Sequence, residues 1–149
     1  MAALKRQRFH LVSAVHLLLI RDGQILLLRR ANTGYEDGNY SVVAGHLEGN
    51  ETIKQASIRE AREEVGIELN PQDLTVVQVM HRRSEDERID WFLSALQWQG
   101  KVTNREPNRC DQLLWRRLDD LPDNVIPYVA HAIHNYLEGV WFDSFGWDS

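Results

Sequence analysis

The 149-residue chain has only one cysteine, no long apolar run and no excess of positive charge. Its single cysteine, Cys110, has no partner for an internal disulfide, which excludes a disulfide-stapled secreted framework and fits a reducing compartment. The net charge of -5 lacks the basic footprint of a protein that binds a nucleic-acid polymer. A small phosphorylated ligand is still compatible with this charge if a divalent cation offsets the local repulsion.

The chain also lacks an apolar segment long enough to cross a membrane. Its first twenty residues are basic and then apolar, as in a signal peptide. His16 interrupts the apolar stretch, and no small-residue cleavage site follows it. Arg21 and Asp22 end the stretch well short of the roughly 20 residues that span a bilayer. We therefore expect no signal peptide, no membrane association and a cytoplasmic location.

Length and composition predict one domain over residues 1–149. Hydrophobic residues make up 43% of the chain, which is enough for a packed core. Apolar periodicity and turn residues predict strands over 9–20, 24–29, 40–44, 74–81, 89–98 and 113–118. They predict helices over 52–65 and from 121 onward. This order suits an α+β protein in which helices cover both faces of a mixed sheet.

The most informative segment, residues 45–67, carries three glutamates on one face of the first predicted helix. Glu60, Glu63 and Glu64 stand at positions i, i+3 and i+4, so their side chains project from the same side. Like charges this close destabilise a plain helix, and a hard divalent cation would remove that penalty. Mg²⁺ takes oxygen ligands, commonly one or two carboxylates together with water and substrate phosphates. A solvated acidic helix face is the alternative for the three glutamates taken alone.

Two more charged residues accompany the three glutamates. Arg59 lies four residues before Glu63, where it is placed to hold or orient the carboxylates. Glu51 lies at the helix entrance, where negative charge favours the helix N-terminus. The glycine-bearing loop before Glu51 can bring the backbone close to a ligand.

The whole segment resembles the Nudix box at every specified position. That pattern is Gly, five residues, Glu, seven residues, Arg-Glu, an aliphatic residue, any residue, Glu-Glu, any residue, Gly and an aliphatic residue. The matching positions are Gly45, Glu51, Arg59, Glu60, Ala61, Glu63, Glu64, Gly66 and Ile67. Seven fixed letters, each at a usage of roughly 7%, would match by chance about once in 10⁸ trials. The flanking elements follow the family's order over nearly the whole chain.

The resemblance implies a Nudix fold, an α/β/α sandwich with a central mixed β-sheet, and a hydrolase of a pyrophosphate linkage in a nucleoside diphosphate derivative. It implies a site for Mg²⁺, with Mn²⁺ as a substitute, whose ligands are Glu60, Glu63, Glu64 and the backbone carbonyl of Ala44. Arg59 matches the arginine that orients these glutamates, and Glu51 matches a supporting glutamate. The metal would neutralise pyrophosphate oxygens and acidify a water, and a carboxylate would accept the proton.

One further carboxylate outside the box is expected at the catalytic site, by resemblance to the 8-oxo-dGTP pyrophosphatases. Glu106 has the matching position, in the loop before the predicted strand 113–118. Glu85, Asp86 and Glu87 compete for this role, and a solvated loop acid is the alternative for each of them. The identity of the general base therefore stays open.

Three residues are candidates for substrate binding. Arg30 resembles an arginine that lines the nucleotide pocket of the family's triphosphatases, and a solubility charge on an edge strand is the alternative. Asn124 resembles an asparagine that hydrogen-bonds the purine, and a helix cap is the alternative. His46 stands where the family commonly has glycine, and it either contacts a phosphate or is a tolerated loop residue.

Missing subfamily residues favour a MutT-like nucleoside triphosphatase. Residues 76–89 contain neither the proline nor the tyrosine that the ADP-ribose and dinucleoside-polyphosphate subfamilies place there, and no NADH-type motif is present. We expect a nucleoside triphosphate, normal or oxidised, to be split into monophosphate and pyrophosphate. The alternatives are hydrolysis of ADP-ribose or a nucleotide sugar, and a module that binds a nucleotide without hydrolysing it.

Aromatic residues concentrate in the C-terminal segment 140–147. This segment either folds back on the core or forms the contact of a homodimer, so both a monomer and a homodimer are compatible with the sequence. Trp91, Phe92 and Trp115 lie in predicted strands, where aromatic side chains are expected in the core more often than against a bound base.

Overall fold

The computed structural model describes residues 6–148, which form a mixed β-sheet with one α-helix on each face. The strands β1 to β8 are Val12–Arg21, Gln24–Arg30, Tyr40–Ser41, Val43–His46, Leu74–Arg83, Glu87–Ala95, Cys110–Arg117 and Phe142–Phe145. The helices α1 and α2 are Ile53–Val65 and Pro127–Glu138, and a 3₁₀ turn covers Pro71–Asp73. None of the helices within residues 6–148 is long and apolar enough to span a membrane. Residues 1–5, which begin the segment considered as a signal peptide, lie outside the described part.

Strand β1 organises the sheet. It runs parallel to β6 on one side, and on its other side it pairs antiparallel first with β4 and then, through its last two residues, with β2. Strand β2 continues to β3 and β7, while β6 continues through β5 to the parallel edge strand β8. The change of partner along β1 divides the sheet into two wings, and both contribute to the cleft described below.

Alternation along β1 supplies two hydrophobic cores, because successive strand side chains point to opposite faces. Val15, Leu17 and Leu19 face α1, where they pack with Ala56, Ala61 and Val65. Leu18 and Ile20 face α2, where they pack with Val129, Ala132 and Ile133. The α/β/α sandwich with a central mixed sheet is therefore confirmed.

Helix α1 is delimited by caps that the sequence encodes. The side chain of Thr52 accepts a hydrogen bond from the Gln55 N–H at 3.0 Å, and the Gln55 side chain accepts from the Thr52 N–H at 2.8 Å. This reciprocal pair is a capping box. Gly66 ends the helix in the left-handed conformation, with φ of 71°. The predicted helix over 52–65 is confirmed, with Thr52 as its cap.

The predicted start of the second helix at residue 121 is wrong. The backbone carbonyl of Asn124 accepts from the Tyr40 N–H at 2.8 Å, and the Ile126 N–H donates to the Tyr40 carbonyl at 2.9 Å. These bonds to β3 keep the chain extended, so α2 begins only at Pro127. Its N-cap is Ile126, which makes no side-chain cap bond, and the interpretation of Asn124 as a helix cap is therefore also wrong.

The bounds of the predicted strands differ from the observed ones, and two of these differences have a cause in the sheet. The predicted strand 40–44 is interrupted at Val42, so that its first part pairs with β2 as β3 and its second part pairs with β1 as β4. The strand predicted over 113–118 begins earlier, at Cys110, because its partner β2 extends to Arg30. Both differences follow from long-range pairing.

The aromatic C-terminal segment folds back on the sheet, as one of the two alternatives predicts. Its central residues form β8, which runs parallel to β5. Asp143 accepts hydrogen bonds from His131 at 2.6 Å and from Asn135 at 3.2 Å, which joins β8 to α2. Trp147 Nε1 donates to the backbone carbonyl of His81 at 3.0 Å.

Gly146 is a point at which a side chain would detach β8. Its φ is +82°, and an added Cβ would stand 2.1 Å from the carbonyl oxygen of Arg83. We expect Gly146→Ala to lower the free energy of unfolding by more than Gly139→Ala. Gly139 also has positive φ, of +74°, but among the described residues its Cβ would meet no atom within 4 Å. The control thus carries only the cost of a left-handed residue, about 1–2 kcal/mol.

Urea unfolding of the two glycine variants measures this difference. Hydrogen exchange of the Val79 amide, which donates to the Trp141 carbonyl at 2.8 Å, reports on the tail locally. Equal losses of stability in both variants, with unchanged exchange at Val79, would contradict the expected clash.

Candidate active site

A cavity of about 890 Å³ lies between α1, the two wings of the sheet and α2. Its lining has two chemically different regions. The carboxylate region is formed by α1 and the loop before β7, with Glu60, Glu63, Glu64 and Glu106. The guanidinium region is formed by β1, β5, β6 and α2, with His16, Arg82, Arg88 and Tyr128.

Arg59 holds the carboxylate region together. Its Nε and Nη2 donate to the two oxygens of Glu51 at 3.0 and 2.8 Å, which fixes the plane of the guanidinium. Its Nη1 donates to Glu60 Oε1 at 2.7 Å and lies 3.4 Å from Glu63 Oε2. Its Nη2 also donates to the backbone carbonyl of His46 at 3.2 Å. The structure thus brings Arg59 into contact with Glu60 and Glu63, two of the three carboxylates that it is predicted to orient.

Glu51 is placed as an anchor for Arg59. The Arg59 guanidinium, and after it the backbone N–H of Glu48, lower the pKa of Glu51 to about 2. A carboxylate with so low a pKa is a weak proton acceptor near neutral pH. Glu51 is not among the residues that line the cleft. Its geometry therefore agrees with the supporting role that the sequence predicts.

Glu60 and Glu64 are crowded where α1 meets β4. An added Cβ on Gly45 would overlap Glu60 Oε1, so a larger residue here would displace this carboxylate from its position. Glu64 Oε2 accepts from the Ala44 N–H at 3.3 Å. Burial, then the hydrogen bond and charge of Glu60, and then the charge of Glu106 raise the pKa of Glu64 well above its usual value. Two carboxylates in this environment compete for a proton unless a cation is present.

The donor chemistry of the carboxylate region fits a hard divalent cation. All of its side-chain donors are carboxylate oxygens, which Mg²⁺ and Mn²⁺ prefer. Within residues 6–148, no three acidic, histidine or cysteine side chains already converge as a closed metal cage. An open arrangement is compatible with Mg²⁺ chemistry, because Mg²⁺ takes one or two carboxylates and fills its other positions with water and phosphate.

Glu106 reaches the carboxylate region from the loop before β7. The Arg105 N–H donates to the backbone carbonyl of Glu64 at 3.0 Å, and the Glu106 N–H donates to Asn104 Oδ1 at 3.0 Å. The Arg105 side chain packs against Gly66, where an added Cβ would stand 2.6 Å from Arg105 Nε and would displace that side chain. The charge of Glu106 contributes to the raised pKa of Glu64, so the two carboxyl groups are electrostatically coupled.

The competitors of Glu106 lie at the turn between β5 and β6. Glu85 and Asp86 line the cleft, whereas Glu87 does not and instead lies 3.6 Å from His81. Unlike these three residues, Glu106 is among the groups that shift the pKa of Glu64. Geometry therefore favours Glu106 as the additional carboxylate.

Of the candidate substrate residues, Arg30 and His46 line the cleft and Asn124 does not. Arg30 Nε donates to the Tyr35 carbonyl at 2.7 Å, and its guanidinium lies 5.2 Å from the Tyr35 ring. His46 Nε2 accepts a hydrogen bond from Arg88 Nη2 at 2.9 Å, because a guanidinium can only donate. Asn124 instead donates its side-chain amide to a backbone carbonyl, at 2.9 Å.

The guanidinium region was missed by reasoning from the sequence. Arg82 is buried, and its Nε donates to the fully buried Asp90 Oδ2 at 2.5 Å. Its guanidinium lies 3.6 Å from the centre of the Tyr128 ring. A charged residue inside an apolar strand is costly to bury unless it is paired. The position of Asp90 within the predicted strand 89–98 was therefore the signal that could have identified this region, whereas Arg82 falls just after the predicted strand 74–81.

His16 contributes to the guanidinium region as a neutral side chain. Its Nδ1 lies 3.3 Å from the Trp91 carbonyl, which can only accept, so Nδ1 carries the proton. Its Nε2 then accepts from the Tyr128 hydroxyl at 2.9 Å. Burial is the main cause that lowers the pKa of His16 to about 4. Of the aromatic residues in the predicted strands, Phe92 is fully buried and stacks on the His16 ring at 4.4 Å, whereas Trp91 packs against the core under α1.

Comparison with known proteins agrees with this geometry. Residues 10–136 match the family model described as a NUDIX domain. The chain is 29% identical over 120 residues to an 8-oxo-dGTP diphosphatase of Escherichia coli (strain K12), covering 78% of this chain and 92% of that protein. It is 37% identical over 138 residues to the NAD-capped RNA hydrolase NudC of Stutzerimonas stutzeri (strain A1501), covering 88% of this chain and 45% of that protein. A crystal structure of a MutT NUDIX hydrolase from Burkholderia pseudomallei matches with a TM-score of 0.77 at 26% identity, covering 85% of this chain and 98% of that one.

The raised pKa of Glu64 predicts a pH-dependent stability of the metal-free protein. Because folding raises the pKa of Glu64, protonation of this carboxyl group stabilises the folded state. The contribution is fully present below the ordinary glutamate pKa of 4.5, and it is lost as the pH rises through the raised pKa. Glutamine imitates the protonated carboxyl, so we expect Glu64→Gln to lose less stability than the parent between acid and neutral pH. Chemical denaturation in EDTA across this pH range measures the effect.

Glu138→Gln is the matched control for this prediction, because Glu138 is exposed at the end of α2. It should retain the pH dependence of the parent. A Glu64→Gln variant whose stability follows the same pH profile as the parent would rule out the assigned burial cost.

Proposed function

The chain belongs to the Nudix family of pyrophosphohydrolases, and we propose that its substrate is a nucleoside triphosphate, normal or oxidised, which it splits into monophosphate and pyrophosphate. The observation that carries the proposal is the cluster of carboxylates that Arg59 holds at one end of a nucleotide-sized cleft. Nudix hydrolases use divalent metal ions, and we propose Mg²⁺, with Mn²⁺ as a substitute, for this chain.

The name of one relative and the lining of the cleft support a triphosphate. The 29% identical relative is an 8-oxo-dGTP diphosphatase, and Arg30, which resembles an arginine of the triphosphatases, lines the cleft. The 37% identical relative favours a second candidate, the pyrophosphate linkage of an NAD-type cap or dinucleotide. The chain spans 45% of that relative, so the relative's activity as a whole is transferred here only as a candidate.

The charged residues of the site would have different roles in hydrolysis. Divalent cations, when bound, neutralise the pyrophosphate oxygens and acidify the attacking water. Arg59 keeps Glu60 and Glu63 facing the cleft, and Glu51 keeps Arg59 in its plane. The cations would be held by Glu60, Glu63, Glu64 and the carbonyl of Ala44.

Glu106 is our candidate for the carboxylate that accepts the proton of the attacking water. It lines the cleft, it comes from outside α1, and Arg59 makes no hydrogen bond to it among the described residues. A proton acceptor is most effective when its carboxylate is not already neutralised by an ion pair. Glu85 and Asp86 stay as alternatives, because they line the same cleft.

The three candidate substrate residues, Arg30, His46 and Asn124, differ in how well their positions support contact with a nucleotide. We propose that Arg30 contacts the nucleotide directly, since it lines the cleft. We propose that His46 acts through Arg88, whose guanidinium it holds by accepting a hydrogen bond at 2.9 Å. The base contact predicted for Asn124 stays a prediction, because its amide is bonded to Gly38 and it lies outside the lining. The reduced Cys110 and the nucleotide substrate also favour our expectation of a cytoplasmic location.

We expect Glu63→Gln to lower kcat by at least about 10²-fold, the lower range for losing acid–base or electrostatic assistance. The substitution keeps the size of the side chain and removes its charge. The fold should survive because the Glu63 side chain is 53% exposed. Steady-state kinetics and a thermal melt measure the two quantities, with Glu138→Gln as the same substitution on an exposed helix end. An unchanged kcat would remove Glu63 from the site.

A nucleotide panel tests the substrate class. We expect kcat/KM for the best nucleoside triphosphate, with GTP, 8-oxo-dGTP, ATP, UTP and CTP compared, to exceed that for ADP-ribose and NAD by at least about tenfold. Mass spectrometry should identify the monophosphate and pyrophosphate as products. Activity should vanish in EDTA and return with Mg²⁺ or Mn²⁺. Faster turnover of ADP-ribose or NAD than of every triphosphate would overturn the substrate assignment, and full activity in EDTA would overturn the metal requirement.

A further inference from the structure

Arg82 is a buried guanidinium with unused donors in the wall of the cleft. It is 5% exposed and lines the cavity. Its Nε is bonded to Asp90, but within residues 6–148 its terminal nitrogens donate to no protein acceptor. Neither terminal nitrogen is sealed from solvent, and Arg82 lines the cavity, so both nitrogens are accessible from it. A buried arginine with free N–H groups needs an acceptor from water or from a ligand.

Two contacts hold this guanidinium in one orientation. Asp90 is fully buried and fixes Nε, while the Tyr128 ring lies 3.6 Å beneath the guanidinium carbon. Tyr128 is itself fixed, because its hydroxyl donates to His16 at 2.9 Å. A donor that is already held in place loses little conformational freedom when a ligand binds. The ion pair with Asp90 uses only the Nε–H of Arg82. It therefore does not explain why the two terminal nitrogens of Arg82 are left accessible.

Tyr35 supplies an exposed aromatic face to the same cleft. Tyr35 is 48% exposed, and it lines the same cavity as Arg82. The Arg30 guanidinium lies 5.2 Å from the centre of its ring. The loop that carries Tyr35 is held by Asp37, which accepts from the backbone N–H groups of Thr33 and Gly34. An exposed ring of this kind is suited to stack on a planar nucleobase.

From this arrangement we propose that Arg82 is a specificity-determining residue, which selects a nucleobase with a carbonyl oxygen at C6 of a purine or at C4 of a pyrimidine. The inference rests on the proposed function, because it names the base of the nucleotide in that cleft. Guanine offers the acceptors O6 and N7 to a guanidinium, and uracil offers O4. Adenine and cytosine present an amino group at the corresponding position, so donor would face donor. The keto bases guanine, hypoxanthine and uracil are therefore favoured over the amino bases adenine and cytosine.

The test measures binding of products, which needs no turnover. Isothermal titration calorimetry on the full chain gives dissociation constants for GMP, IMP, UMP, AMP, CMP and inorganic pyrophosphate. Arg82→Lys keeps a positive charge beside Asp90 and removes the planar donors. The double variant Arg82→Met with Asp90→Asn removes both members of the pair, so that no buried charge is left alone. Arg117→Lys is the control, because Arg117 is exposed and pairs with Asp119 away from the cleft.

We expect the parent to bind GMP, IMP and UMP at least about tenfold more tightly than AMP and CMP. Both Arg82 variants should lose most of this preference and keep the parent's affinity for pyrophosphate, and Arg117→Lys should change neither quantity. Because the preference is measured first on the parent, the inference can fail even if a variant does not fold.

Three results would overturn the inference. They are a parent without keto preference, a preference that persists in both Arg82 variants, and a loss of pyrophosphate affinity equal to the loss of GMP affinity, which would make Arg82 a phosphate ligand. The proposed function fails separately: a chain that shows the keto preference in binding but hydrolyses no triphosphate would support the role of Arg82 and reject the triphosphatase.

Discussion

The guanidinium of Arg59 ties the loop before α1 to the helix itself, because it binds Glu51 with one edge and Glu60 with another nitrogen. Without this cation, the three glutamates on one face of α1 would repel one another and the helix would be destabilised. The loop also depends on it, since Arg59 Nη2 donates to the backbone carbonyl of His46 at 3.2 Å. One side chain thus sets the orientation of the carboxylates, the path of the loop and the position at which β4 ends. The spacing of the Nudix box has a direct physical meaning here: seven residues separate Glu51, an anchor at the helix entrance, from Arg59, the arginine that it holds.

The carboxylate region lowers the stability of the folded state. Glu60 is buried, and Glu64 has a raised pKa because of burial and of its acidic neighbours. The two hydrophobic cores on either side of the sheet, with the capping box of α1, offset this cost. A cation that binds only the folded state would recover part of it by mass action. Local rules of stability are commonly broken where a site is built for a ligand, and this helix face is such a place.

The sequence was sufficient for features that depend on short spacing, and insufficient for features assembled from distant segments. The limits of α1 and the contacts of Arg59 with Glu60 and Glu63 follow from local patterns, and Arg30 lines the cleft as the resemblance implies. The start of α2 was wrong because Tyr40, far away in the chain, holds residues 124–126 extended. The guanidinium region joins β1, β5, β6 and α2, and the hydrogen bond between His16 and Tyr128 spans 112 residues. No periodicity or motif encodes such a meeting. The only signal of the guanidinium region in the sequence is a charged residue in an apolar strand.

The two regions of the cleft require different chemical groups from a ligand. The carboxylates need positive charge, so phosphates can lie beside them only when cations are also present. The charge of Arg82 is largely compensated by Asp90, at 2.5 Å, and Arg88 lies 3.7 Å from the other oxygen of the same carboxylate. Guanidinium groups that share a buried carboxylate attract an additional anion weakly, but their N–H groups remain strong donors to a neutral acceptor. With the proposed substrate, a nucleotide would satisfy both regions in one orientation, with its phosphates at the carboxylates and a carbonyl-bearing ring at Arg82. The compensating charge of Asp90 would then do more than stabilise a buried arginine, because it would set which end of the substrate that arginine can receive.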